Sequence, residues 1–142
     1  MKGKTIILVG CGAKKASSAC QAKDMYQGDL FKKALAYAYK LRPDAIHILS
    51  AKYHLLDLTD IIAPYNETLN NKKVHDIKIW SDIVLNELKA RGYDLQNDKF
   101  IFLTGKNYYR YLLHELPLHE LPYYGLKGIG YILHYLNNQL SH

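Results

Sequence analysis

Cysteine is scarce in this sequence: only Cys11 and Cys20 occur among 142 residues. They form no CxxC pair, and no histidine stands at zinc-ligand spacing from them, which argues against a structural zinc site. Two thiols this close together cannot staple a whole fold, so a disulfide framework is excluded too. Long apolar runs are also lacking. Residues 5–9 (TIILV) fall far short of the ~20 needed to span a bilayer. They are also too short for the apolar region of a secretion signal, and no cleavage signature follows. These absences lead to the expectation of a cytoplasmic protein that begins at Met1, keeps its thiols reduced and has no membrane association. No block of about five or six basic residues is present, so a basic nucleic-acid arm is missing. Phenylalanine and tryptophan are few, at three and one.

Tyrosine, by contrast, occurs thirteen times. Tyrosine stacks on bases and hydrogen-bonds, which keeps a nucleobase ligand open; it also serves as an amphipathic surface filler. Lysine and arginine total 19 against 13 acids, a formal charge of +6 that favours anionic partners. The length suits one domain over residues 1–142, with about 68–70% of the unfolded surface available for burial.

Hydrophobic periodicity orders the chain. Residues 4–10 read as a strand buried on both faces. Residues 29–42 carry Leu30, Phe31, Ala34, Leu35, Ala38 and Leu41 at helical spacing, with Asp29 as cap and Pro43 as stop. Residues 45–50 form a second strand. A long connection over 53–73 follows; loops of that length in compact domains are functional or disordered, and its many leucines and isoleucines disfavour disorder. Residues 74–91 are helical, ended by Gly92. Residues 99–104 form a third strand, and 106–116 a short helix. The local repeat His114-Glu115-Leu116-Pro117 and His119-Glu120-Leu121-Pro122 makes a poor metal site and contains part of a last strand. A terminal helix follows Gly128-Ile129-Gly130. This alternation implies right-handed crossovers. The expected fold is a single three-layer α/β domain with a mainly parallel, Rossmann-like sheet of about four or five strands.

Three strand ends share a pattern: Gly10-Cys11-Gly12-Ala13-Lys14-Lys15, Ser50-Ala51-Lys52-Tyr53-His54 and Thr104-Gly105-Lys106-Asn107-Tyr108. Each apolar strand stops at a small residue with lysine close behind. Parallel sheets bind ligands beyond their carboxyl ends. Small residues let a ligand approach the backbone, and ammonium groups neutralise phosphate or carboxylate. The first loop is neither a P-loop nor a dinucleotide fingerprint, and each loop taken alone also reads as a solvated turn. Cys11 is either a thiol activated by nearby lysines or a small side chain closing the strand. Ser50 is either a reacting or ligand-binding hydroxyl, with Lys52 and His54 beside it, or a hydrogen-bond partner for backbone. Gly128 precedes a helix amino terminus, where free N–H groups attract anions, or permits close packing.

Several of these stretches together resemble a family of small uncharacterised bacterial and phage proteins. They are Gly10 to Lys15; Ala22, Asp24, Met25 and Tyr26; Ile48-Leu49-Ser50-Ala51-Lys52-Tyr53; Pro64-Tyr65-Asn66 with Thr68-Leu69; Thr104-Gly105; and Gly125-Leu126 leading to Gly128. One departure is His54, where the family usually has glycine. The family is distantly similar to YaaA-like proteins and to the base-modifying domain of archaeosine synthase, which implies nucleic-acid bases as a theme. The expectation is an enzyme acting on a nucleotide or a base in nucleic acid by glycosidic cleavage, base exchange or base modification. Lys14, Lys15 and Lys52 would hold phosphate, and Ser50 and His54 would flank the reacting group. Tyr26 or Tyr65 would meet the base, and Asp24 or Glu67 would stabilise an oxocarbenium-like centre. Gly10, Cys11, Gly12, Thr104, Gly105 and Gly128 would shape the ligand cradle. A non-catalytic nucleotide sensor and a nucleic-acid-binding module are the alternatives. No cofactor, metal or oligomeric state is legible.

Overall fold

Four consecutive apolar residues, Ile6 to Val9, are fully buried in β1 (Thr5–Gly10), which therefore needs cover on both faces. The computed structural model describes residues 3–142, so the expected start at Met1 lies outside the described residues. Successive side chains of a strand point to opposite faces. Ile6 and Leu8 accordingly join one core layer and Ile7 and Val9 the other.

The first layer lies under α3 (Val74–Ala90) and α4 (Lys106–Tyr109); Trp80, Val84, Leu88, Tyr108 and Leu112 fill it. The second lies under α1 (Ala22–Met25), α2 (Asp29–Lys40) and α5 (Ile129–Leu140), with Met25, Phe31, Ala38 and Leu136 inward. Fully burying a side chain of this size contributes about 1.5–3 kcal/mol. Phe100 and Phe102 of β6 (Lys99–Leu103), both at 0% exposure, are among the largest such contributors.

β1 pairs in parallel with β3 (Ala45–Ser50) on one side and β6 on the other. β7 (His119–Glu120) extends the β6 edge in parallel, while β4 (His54–Asp57) turns back antiparallel onto β3. The order is β4-β3-β1-β6-β7. A small second sheet pairs β2 (Cys20–Gln21) with β5 (Ile61–Ile62). The result is one three-layer α/β domain with a five-stranded, mostly parallel sheet. No described helix is long and apolar enough to cross a membrane.

The structure departs from the sequence reading in four places. Residues 20–25, which show no periodicity, form β2 and α1. The connection over 53–73 is not a plain loop: it holds β4, β5 and a 3-10 turn at Leu69–Asn71. Strands of two to four residues are too short to give a period. The helix expected over 106–116 stops at Tyr109 and resumes only as a 3-10 turn at Leu113–Glu115. Gly28, not Asp29, caps α2, and Leu41 is 41% exposed beyond its end.

The histidine of β3 also lies in the protein interior. His47 is 6% exposed, and its Nε2 lies 2.5 Å from the Tyr93 hydroxyl. Asp57 Oδ1 stands 3.0 Å from Nδ1 but out of line for a hydrogen bond, and it also accepts from Arg91 Nε at 3.1 Å. Burial lowers the His47 pKa, against the opposing pull of Asp57. A histidine with a depressed folded pKa binds fewer protons than its unfolded counterpart. Its contribution to stability is therefore complete above the unfolded value of ~6.5 and is lost as pH falls below it. The wild-type melting temperature is expected to drop between pH 7.5 and pH 5 more steeply than that of His47→Gln. Parallel slopes for the two proteins would refute the assignment.

Candidate functional site

The chain leaves β1 toward α2 on one face and leaves β6 toward α4 on the other. The carboxyl ends of these neighbouring strands therefore form the switch point at which open α/β sheets bind ligands. They touch there: a Cβ added to Gly10 would lie 2.2 Å from Thr104 Oγ1, so only glycine permits the approach. Cys11 follows, half-buried and packed against both core layers, with its N–H donating to the Leu49 carbonyl at 3.0 Å. Residues from all three strand ends thus meet at one edge. Gly105 lies exposed beside them with open space where a side chain would stand.

A chain of hydroxyls lies at the ends of β1 and β3, with Ser50 and Tyr26 buried and Tyr65 half-buried. Ser50 Oγ accepts from the N–H of Tyr53 at 3.0 Å and of Lys52 at 3.3 Å, and donates to the Tyr65 hydroxyl at 2.8 Å. The Tyr65 and Tyr26 hydroxyls are 2.6 Å apart. Burial pushes the Tyr26 pKa up to about 12. Burial, then the adjacent Cys11 thiol, raises that of Tyr65. Phenols are protonated at neutral pH even at their ordinary value, and burial holds these two so over a wider range, as donors and acceptors. Ser50 is 0% exposed, with Tyr65 over it and its carbonyl taking the Trp80 indole N–H at 2.9 Å. Lys15 Nζ stands 4.5 Å above the Tyr65 ring and Lys52 Nζ lies 5.5 Å from the Tyr53 ring, both as cation–π contacts.

Tyr108 ties the third strand end in. Its hydroxyl accepts from Leu69 N–H at 3.2 Å and lies 3.5 Å from both Thr68 Oγ1 and Cys11 Sγ. Asn107 Nδ2 donates to Asn70 at 3.1 Å alongside it. The sequence carries Tyr108 only as the last residue of a strand-end loop, with no role assigned, and Trp80 is not among its site candidates. Trp80 stands at helical spacing with Ile77, Val84 and Leu88, a pattern that reads as core, and nothing in the loop after β6 says that the Tyr108 hydroxyl reaches Cys11.

The other candidates are dispersed. Lys14 and Gly128 are exposed, and Gly12 lies over Phe31; no hydrogen bond joins any of them to the hydroxyl chain among the described residues. Gly128 caps α5 with φ 105°. Asp24 is exposed on α1, where it lines a cavity of about 440 Å³ with Phe31 and Tyr39. Glu67 is exposed and faces Lys72 at 3.9 Å. No hydrogen bond or ion pair joins either carboxylate to Ser50 or His54 among the described residues. A second cavity, of about 530 Å³, sits at the opposite edge of the sheet between Tyr37, Tyr135 and Pro122.

His54 opens β4 with φ 67°, in the left-handed region. That geometry gives a physical reason for glycine at this position independent of chemistry. A non-glycine residue there costs about 1–2 kcal/mol. His54→Gly should therefore preserve or raise stability, and His54→Val, whose β-branch fits the left-handed region worse than histidine does, should lower it, as read from urea midpoints. A destabilised glycine variant would mean that the imidazole holds the turn.

Ser50→Ala removes an acceptor from two N–H groups and a donor to Tyr65. A loss of about 1–3 kcal/mol is expected, with far-UV circular dichroism unchanged. A variant as stable as the wild type would show that the hydroxyl chain contributes nothing to folding.

Comparison with curated proteins returns no match. A family model does match, over residues 6–138, which includes every strand end just described. The chain belongs to that family, the family of unknown function DUF6884.

Proposed function

We propose that this edge receives a nucleotide or a base in nucleic acid and that the protein acts on it in the cytoplasm, by glycosidic cleavage, base exchange or base modification. One observation carries the reading: a largely buried Tyr26–Tyr65–Ser50 hydroxyl chain lies at the sheet's switch point with Lys15 poised over it. Phenols that stay protonated can donate to and accept from a heterocycle, and their rings can stack on it. Lys14, Lys15 and Lys52 supply positive charge for phosphate. The resemblance to YaaA-like proteins and the archaeosine synthase domain points the same way.

A non-catalytic sensor is the second reading, and a specific observation favours it. Ser50 is sealed under Tyr65, and the carboxylates Asp24 and Glu67 stand apart from the hydroxyl chain. Catalysis requires Tyr65 to swing aside and Glu67, on the same segment, to turn inward.

The test is a thermal-shift screen of nucleosides, nucleotides and short oligonucleotides, followed by mass spectrometry for released or altered base. A specific ligand at a hundredfold excess over its dissociation constant should add about 2.7 kcal/mol. Lys15→Gln with Lys52→Gln should weaken phosphate-bearing ligands about tenfold, roughly 1.4 kcal/mol. Product formation supports the enzyme, and stabilisation without product supports the sensor. No stabilisation by any phosphate-bearing ligand rejects both.

A further inference from the structure

Unpaired positive charge is concentrated at one end of the sheet. Asp44, Asp94, Asp98, Glu115 and Glu120 gather at the amino-terminal edge of the sheet. They are occupied there: Asp44 accepts from Thr5 N–H, Asp98 from Lys4 and Asp94 N–H, and Glu120 pairs with Lys99. Cations gather at the carboxyl-terminal edge, on Lys14 and Lys15 after β1, Lys52 after β3, Lys73 before α3, and Lys106 and Arg110 in and after α4. None of these six has a carboxylate partner among the described residues. Of the acids at this end, Glu67 faces Lys72, Asp24 lies exposed on α1, and Asp29 and Asp76 lie in the first turns of α2 and α3.

The cationic segments form one surface. Tyr108 bonds to the segment before α3 and touches Cys11, Asn107 bonds to Asn70, and Lys15 covers Tyr65. Partly exposed tyrosines alternate with the charges. Lys15 lies over Tyr65 and Lys52 over Tyr53, while Lys78 and Arg110 lie 5.3 and 4.6 Å from the Tyr111 ring. Alternating cations and aromatic faces suit a backbone whose bases are free to stack, which a duplex does not offer. No long described helix or β-ribbon projects from this edge to enter a groove.

We infer that single-stranded nucleic acid lies across this edge, its phosphates on the lysines and its bases on Tyr53, Tyr65 and Tyr111. The inference rests on the proposed site and names its substrate: a base presented by a strand, not by a free nucleotide. An unpaired strand also spares the cost of extruding that base from a duplex.

Fluorescence anisotropy with labelled oligonucleotides of about a dozen nucleotides, single-stranded and as the matching duplex, tests this. Mononucleotide binding is followed in parallel by thermal shift. The single strand should bind at least tenfold more tightly than the duplex or the mononucleotide, with strong salt dependence. Lys73→Gln, Lys78→Gln and Lys106→Gln combined, all outside the hydroxyl chain, should weaken the strand at least tenfold. They should lower the salt slope by about 2, since each phosphate contact on a single strand contributes roughly 0.7, and should leave the mononucleotide shift unchanged. Equal binding of duplex, or of anionic phospholipid vesicles, would make the surface a general polyanion binder and overturn the inference, as would a triple variant that binds like the wild type. Mononucleotide binding without strand binding would overturn the inference and leave the site reading standing; failure of both would remove both.

Discussion

Where β1 and β6 end, the absence of a side chain at Gly10 lets Thr104 come so close that any Cβ would overlap its hydroxyl. Much of the architecture at the working edge follows from that contact. It holds the two central strand ends together at the point where their chains depart for opposite faces. It sets Cys11 directly above, half-buried between both core layers, where Tyr26, Tyr65 and Tyr108 converge. A larger residue at position 10 would push the strands apart, and overpacking of this kind typically costs 1–3 kcal/mol.

The hydroxyl chain shows how polar groups survive in such a place. A buried hydroxyl without a partner costs more than a hydrogen bond returns, so each one must be answered. Ser50 is answered by two backbone N–H groups and Tyr65, Tyr65 by Tyr26, and Tyr108 by the Leu69 N–H. The same bonds fix the irregular segment between β5 and α3, which has little other regular structure. That segment is therefore held by side chains that a ligand could exchange for its own donors and acceptors. A segment anchored this way is a better candidate for movement than one anchored by a sheet ladder.

The legibility of this protein in its sequence followed signal length. β1, β3, β6, α2, α3 and α5 each present a long enough apolar pattern to be read, and together they imply the parallel sheet and its carboxyl edge. β4 and β5 were missed because four and two residues carry no measurable period and because a left-handed histidine, not glycine, opens the hairpin. At the site, the strand-end motifs placed Gly10, Cys11, Ser50 and Thr104 at one edge. Tyr65 was legible only as part of a motif, and its position over Ser50 was not, since nothing local says where a side chain fifteen residues away will fold. Asp24 and Glu67 lie near the motifs in sequence, and tertiary structure leaves both at the surface.

The absence of a basic block in the sequence weighed against a nucleic-acid surface, and the fold shows why that argument is incomplete. A block of like charge within one segment is only one way to build a field. Here single lysines and pairs from four separate segments are brought to the same edge because each follows a strand or precedes a helix there. The acids that would cancel them are held at the far edge by backbone N–H groups and local lysines. Those bonds serve folding, by closing strand starts and turns, and they also polarise the molecule along its strands. A formal charge of +6 thus understates the potential at the carboxyl edge, since the acids of the far edge are matched by local cations while the lysines here have no carboxylate partner among the described residues.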